Sequence, residues 1–117
     1  MATLDPRDSL VRRLRDLLAS HRNVREVRMF GLQSFMVDDS LAVGVGRNGD
    51  LLVRTDPARY DDLLERGGVP ARMGGDRPMG RGWLTVPGER ITDDADLAFW
   101  LRVGTDSRRP QTSFGTQ

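Results

Sequence analysis

The chain has 117 residues, 38% of them hydrophobic and 30% charged, which leaves room for one domain with a modest core and excludes a disordered chain. Cysteine and lysine are both absent, which removes disulfides, thiolate nucleophiles, Cys-based metal sites, Schiff bases and the lysine of a P-loop. A net charge of +1 excludes a strong overall field toward nucleic acid, and no apolar run approaches the roughly 20 residues of a membrane span.

All 18 basic residues are arginine, the bias of a GC-rich coding sequence. Residues 1–30 hold seven arginines against four acids, and the remainder holds eleven against thirteen, so the charge asymmetry is mild. The start, MATLDPRD, lacks the basic and apolar regions of a signal peptide, and a cytoplasmic protein is expected.

Asp5 and Pro6 are a cap and a first helical residue, and Leu10, Val11, Leu14, Leu17 and Leu18 follow at helical spacing. Asp8, Arg12 and Asp16, four apart, form the opposite face, and the helix should end near Ser20 to Asn23. Strands are expected at Val24 to Met29, Ser34 to Val37, Leu41 to Val45 and Leu51 to Thr55. Asn48-Gly49, between the last two, marks a hairpin because both residues tolerate positive φ.

Asp56-Pro57 opens a short helix with Tyr60, Leu63 and Leu64 on its apolar face, and Gly67-Gly68 stops it. Ala71 to Met73 reads as a short strand, Gly74 to Gly82 as a loop or hairpin tip, and Trp83 to Val86 as a strand. A last helix starts near Thr92 or Asp93, with aspartates at its positive end, and Gly104 should end it. The expected order is α-ββββ-α-ββ-α: an α+β fold, with an antiparallel sheet of about five or six strands and three flanking helices. The domain spans residues 1–104, and the polar residues 105–117 are expected to be a mobile tail.

Arg28-Met29-Phe30-Gly31, a hairpin, and Leu51-Leu52-Val53-Arg54-Thr55-Asp56 resemble the N-terminal domain of the bacterial TfoX/Sxy family. The helix at Pro57, the Gly-rich loop, the Trp83 strand and the Asp-rich helix with Trp100 follow in that family's order, so the resemblance covers roughly residues 10 to 104. Leu32 stands where the family has a second glycine, which puts in doubt a close backbone approach at that turn, and Arg54 replaces its usual lysine. Longer members regulate natural competence and carry a C-terminal domain that is not expected here. The resemblance therefore implies a stand-alone regulatory or protein-interaction module, with no catalytic residues, cofactor or metal.

Gly44 to Gly49 fits GxGxxG literally, but a dinucleotide site needs a helix next, and a strand is expected there. His21 is the chain's one histidine, so neither a His-based metal cluster nor a Ser–His–Asp arrangement has its parts. Asp38-Asp39 and Asp61-Asp62 read as surface pairs rather than acid–base dyads, because adjacent residues rarely converge on one site.

The candidate interaction surface is Arg28, Phe30, Gly31, Arg54, Arg72, Arg77, Arg81 and Trp83. Its first expected partner is another protein, and self-association is also open. The alternative is a nucleic-acid-binding accessory protein that uses the N-terminal arginines and the Arg/Gly-rich loop, where guanidinium forks and free backbone N–H groups suit phosphate. A membrane partner is not expected.

Overall fold

The computed structural model describes residues 6–29, 31–73, 77–78 and 80–107, with residues 73, 77 and 78 described by their backbone alone. Helix α1 (Pro6–Leu17) buries Leu10, Val11 and Leu14, the stripe its spacing predicts. It ends earlier than expected. Leu18 N–H still reaches the Leu14 carbonyl, but Ala19 bonds Asp16 and His21 bonds Leu18, so the helix tightens into three-residue turns before the next strand. Asp5, its expected cap, lies outside the described residues.

Four strands follow as a meander: β1 (Val24–Met29), β2 (Leu32–Val37), β3 (Ser40–Val45) and β4 (Leu51–Arg54). β2 and β3 meet at Val37 and Ser40 across Asp38 and Asp39, both at positive φ (52° and 70°), the pattern of a type I′ turn. Those two aspartates are therefore turn residues, as the reading of them as surface anticipated. The Asn48-Gly49 hairpin also forms, but by another route. Gly49 N–H bonds the Gly46 carbonyl and Gly46 N–H bonds the Asp50 carbonyl, and Gly49 alone of the pair has positive φ (84°). This is a three-residue loop closed by a left-handed glycine, so Asn48 needs no unusual conformation. The literal GxGxxG is thereby a hairpin.

A 3-10 turn (Pro57–Arg59), capped by the Asp56 side chain on Ala58 N–H, runs into helix α2 (Tyr60–Glu65). The chain leaves α2 with Gly68 N–H on the Leu63 carbonyl and Gly67 N–H on that of Leu64, a Schellman ending that confirms the expected stop. Three two-residue strands come next, β5 (Val69–Pro70), β6 (Arg72–Met73) and β7 (Arg77–Pro78), and then β8 (Trp83–Val86). β6 and β7 pair as a small separate hairpin. β6 falls within the strand expected at Ala71 to Met73, whereas β5 and β7 lengthen the expected element order and leave its long elements in place.

The main sheet has six antiparallel strands in the order β1-β2-β3-β4-β8-β5. Helix α3 (Asp94–Ser107) crosses β3 and β4. Asp93 caps it through Asp96 N–H, and Asp96 in turn accepts from the Thr92 N–H and hydroxyl, which holds its carboxyl below the usual range. Those aspartates are helix caps, as their position implies.

Gly104 does not end α3. It lies buried within the helix, where a Cβ would collide with the Ala42 carbonyl oxygen, so glycine lets the helix press onto the sheet. The helix continues to Ser107, whose hydroxyl donates to the Arg54 carbonyl. Residues 105–107 are thus helix rather than tail, and residues 108–117 lie outside the described residues.

One core joins the helices to a single face of the sheet. Leu14 of α1, Leu63 of α2 and Leu97 and Trp100 of α3 cluster with Phe35, Val43, Val53 and Leu84. Burial at about 25 cal/mol per Å² of apolar surface makes this cluster the principal source of stability.

Candidate functional site

Strand register settles which side chain stands on which face. The row Glu26, Phe35, Val43, Val53 and Leu84 faces the helices, and so does the row Arg28, Gln33, Val45, Leu51 and Val86. The intervening row, Val27, Ser34, Gly44, Leu52, Thr85 and Val69, points the other way. Met29, Leu32, Met36 and Trp83 share that second face by alternation.

The second face is mostly apolar, though it also carries Arg25, Ser34, Arg54 and Thr85, and among the described residues no helix contributes to it. Val27, Met29, Leu32, Met36, Leu52 and Trp83 are half-buried, and Val69 is 40% exposed. At its centre Gly44 leaves a hollow that Leu32 and the Ser34 hydroxyl approach, each 3.3 Å from where a Cβ would sit. Ser34 is fully buried and its hydroxyl has no hydrogen-bond partner among the described residues. Leu32, in place of a second glycine, lies over this hollow. Gly31 has positive φ (76°) with nothing within 4 Å of a Cβ, so its turn needs the conformation and not a close approach.

One end of this face is arginine-rich. Arg54 and Trp83 are cross-strand partners, with the guanidinium 5.9 Å from the ring centroid. Arg81 stacks over Tyr60 at 4.8 Å and reaches Asp61 at 3.3 Å and the Pro57 carbonyl at 3.3 Å. Thr55 holds that segment in place, donating its hydroxyl to the Arg81 carbonyl and its N–H to the Gly82 carbonyl, both at 2.8 Å.

The expected interaction surface is therefore only partly one surface. Arg54, Arg81 and Trp83 come together. Arg28 belongs to the helix-bearing face, and Gly31 turns the chain at the far end of β1. Arg72 and Arg77 sit in the small β6–β7 hairpin, Arg72 exposed, and Phe30 lies outside the described residues. Sequence reasoning missed Met36 and Leu52. Their alternation with buried neighbours was the available signal, but one apolar run does not tell its two faces apart.

Beside Arg28 a second arginine group spans α1 and the β1–β2 hairpin. Arg15 clasps Glu26 with Nε at 2.7 Å and Nη2 at 2.8 Å, and Gln33 donates to the same carboxylate at 2.9 Å. The Arg15 hydrogen bonds hold the Glu26 carboxyl below its ordinary range, and that pairing raises Arg15. Arg7 reaches the Gly31 carbonyl at 3.4 Å, tying α1 to the hairpin turn. A cavity of about 410 Å³ lies between these walls. Another of about 460 Å³ lies where the start of α1 meets the Asn48-Gly49 tip.

Residues 16–107 match the family model of the TfoX N-terminal domain. The chain belongs to this family. No curated protein and no solved structure matches it significantly. The TfoX N-terminal domain match runs from the last turn of α1 to the end of α3, so it takes in the whole sheet and both of its faces. Arg7, Arg12 and Arg15 precede it. Among the described residues of this TfoX N-terminal domain, no three or more His, Cys, Asp or Glu side chains are grouped to hold a metal, and no helix is long and apolar enough to cross a membrane.

Proposed function

We propose that this TfoX N-terminal-domain protein is a non-enzymatic regulatory module of the bacterial cytoplasm that holds another protein against the open face of its sheet. One observation carries the reading. The face lined by Leu32, Met36, Leu52 and Trp83 is mostly apolar, and no described helix covers it. An apolar sheet face of this kind gains from burial against a partner.

Arg54 adds direction. Its guanidinium stacks on Trp83 and has no carboxylate partner among the described residues, so the fitting partner is an apolar segment with an acidic side chain at that end. The lack of cysteine and lysine and the single histidine agree with a binding role rather than a catalytic one. Nucleic acid fits this site less well. Arg28 and Arg54 lie on opposite faces of the sheet, so the N-terminal arginines and the Arg54 end do not form one continuous track for a phosphate backbone.

The test is affinity purification of the tagged protein from its own host, with and without nuclease, followed by mass spectrometry. A stoichiometric protein that survives nuclease is the expected result. Loss of every partner on nuclease treatment overturns the proposal in favour of nucleic acid.

A further inference from the structure

The cavity between α1 and the β1–β2 hairpin lies away from the open face and is independent of the reading above. Its walls are Asp8, Arg12 and Arg15, one stripe of α1, and Arg28 and Gln33 of the hairpin, with Arg7 at the turn. Four arginines thus converge on a space of about 410 Å³, within the range of small-molecule sites.

The charges do not cancel there. Glu26 occupies Arg15, and Arg7 is engaged at the Gly31 carbonyl. Arg12 and Arg28 stand on opposite walls and have no ion-pair or hydrogen-bond partner among the described residues. The Arg15–Glu26–Gln33 cluster ties the two walls together beside Arg12 and Arg28.

We infer that this cavity is a binding site for a phosphate monoester. The group carries a charge of about −1.5 to −2 at neutral pH, which matches the positive charges of Arg12 and Arg28. Guanidinium forks meet tetrahedral oxyanions bidentately, and Gln33 supplies a neutral donor. A carboxylate would leave one of the two charges unmatched. A nucleic-acid strand needs a continuous track of cations, whereas these arginines cluster around one open cavity. The α1 wall lies before the stretch matched by the TfoX N-terminal domain.

The test is an NMR amide-shift titration of the full chain at low ionic strength with three probes: inorganic phosphate, adenosine monophosphate and a short single-stranded oligonucleotide. Saturable one-to-one binding of adenosine monophosphate is expected, with shifts centred on residues 7–15 and 26–33. Binding of inorganic phosphate as well would place the recognition on the phosphate alone, and binding of the monophosphate only would extend it to the ester. Arg12→Gln and Arg28→Gln should each weaken binding by about tenfold, and Arg22→Gln, an exposed arginine outside the cavity, should leave it unchanged. Thermal melting of each variant checks that it folds, and either single variant suffices if the other does not. The inference fails if neither small probe saturates, if Arg22→Gln weakens binding as much, or if only the oligonucleotide binds.

Discussion

Glu26 takes three hydrogen bonds, two from Arg15 and one from Gln33, although it lies at the protein surface. Because the folded-state carboxyl is held below its unfolded value, the stability it contributes is fully present above the ordinary carboxylate range. That stability is lost as pH falls through the lowered value. Glu26→Gln should therefore lower the urea midpoint at about pH 7, and the gap from wild type should narrow by about pH 3. A gap that is constant with pH would mean that the carboxylate charge contributes nothing. The sequence carried little sign of this cluster, since Arg15 and Glu26 lie 11 residues apart and in different elements. Residues whose role is local were easier to read. Asp93 as a cap needs only its neighbours, and so does Asp56 before Pro57.

At the scale of elements, sequence reading succeeded where the signal was periodic or closed within a few residues. The stripe of α1, the Asn48-Gly49 hairpin and the ending of α2 at Gly67-Gly68 are of that kind. It failed at Gly104, where a glycine that resembles a helix stop instead serves a contact with β3, 60 or more residues away in sequence. Two effects oppose each other in Gly104→Ala. Alanine gains about 1 kcal/mol of helix propensity over glycine. The added methyl meets the Ala42 backbone oxygen and Val43, and overpacking of this sort costs about 1–3 kcal/mol, at the upper end when backbone must move. Overpacking wins, so the variant should unfold at lower urea than wild type. A higher midpoint would place α3 farther from the sheet than the structure has it. The short strands β5 and β7 were illegible for a different reason, since two residues hold no period, whereas β6 falls within the strand expected at Ala71 to Met73.

For the whole molecule, the α+β class and the antiparallel sheet were readable because the long elements declared themselves one by one. Which face the helices would cover was not. Leu51 to Val53 reads as one apolar run, yet Leu51 and Val53 are core while Leu52 belongs to the open face. The same blindness merged Arg28 with Arg54 into one expected surface, which register separates. The molecule thus offers two unlike surfaces, an apolar sheet face ending at Arg54 and an arginine-lined cavity under α1.

The measurement that bears most directly on the interaction reading uses one variant of each surface. Tagged wild type, Leu52→Asp and Arg12→Gln/Arg28→Gln would be purified from the native host after nuclease treatment, once their melting has shown them folded. A charge placed among Met36, Leu52 and Trp83 should remove the protein partner, and the double arginine variant should keep it. A partner that survives Leu52→Asp and disappears with the arginine pair would contradict the open sheet face as the docking surface.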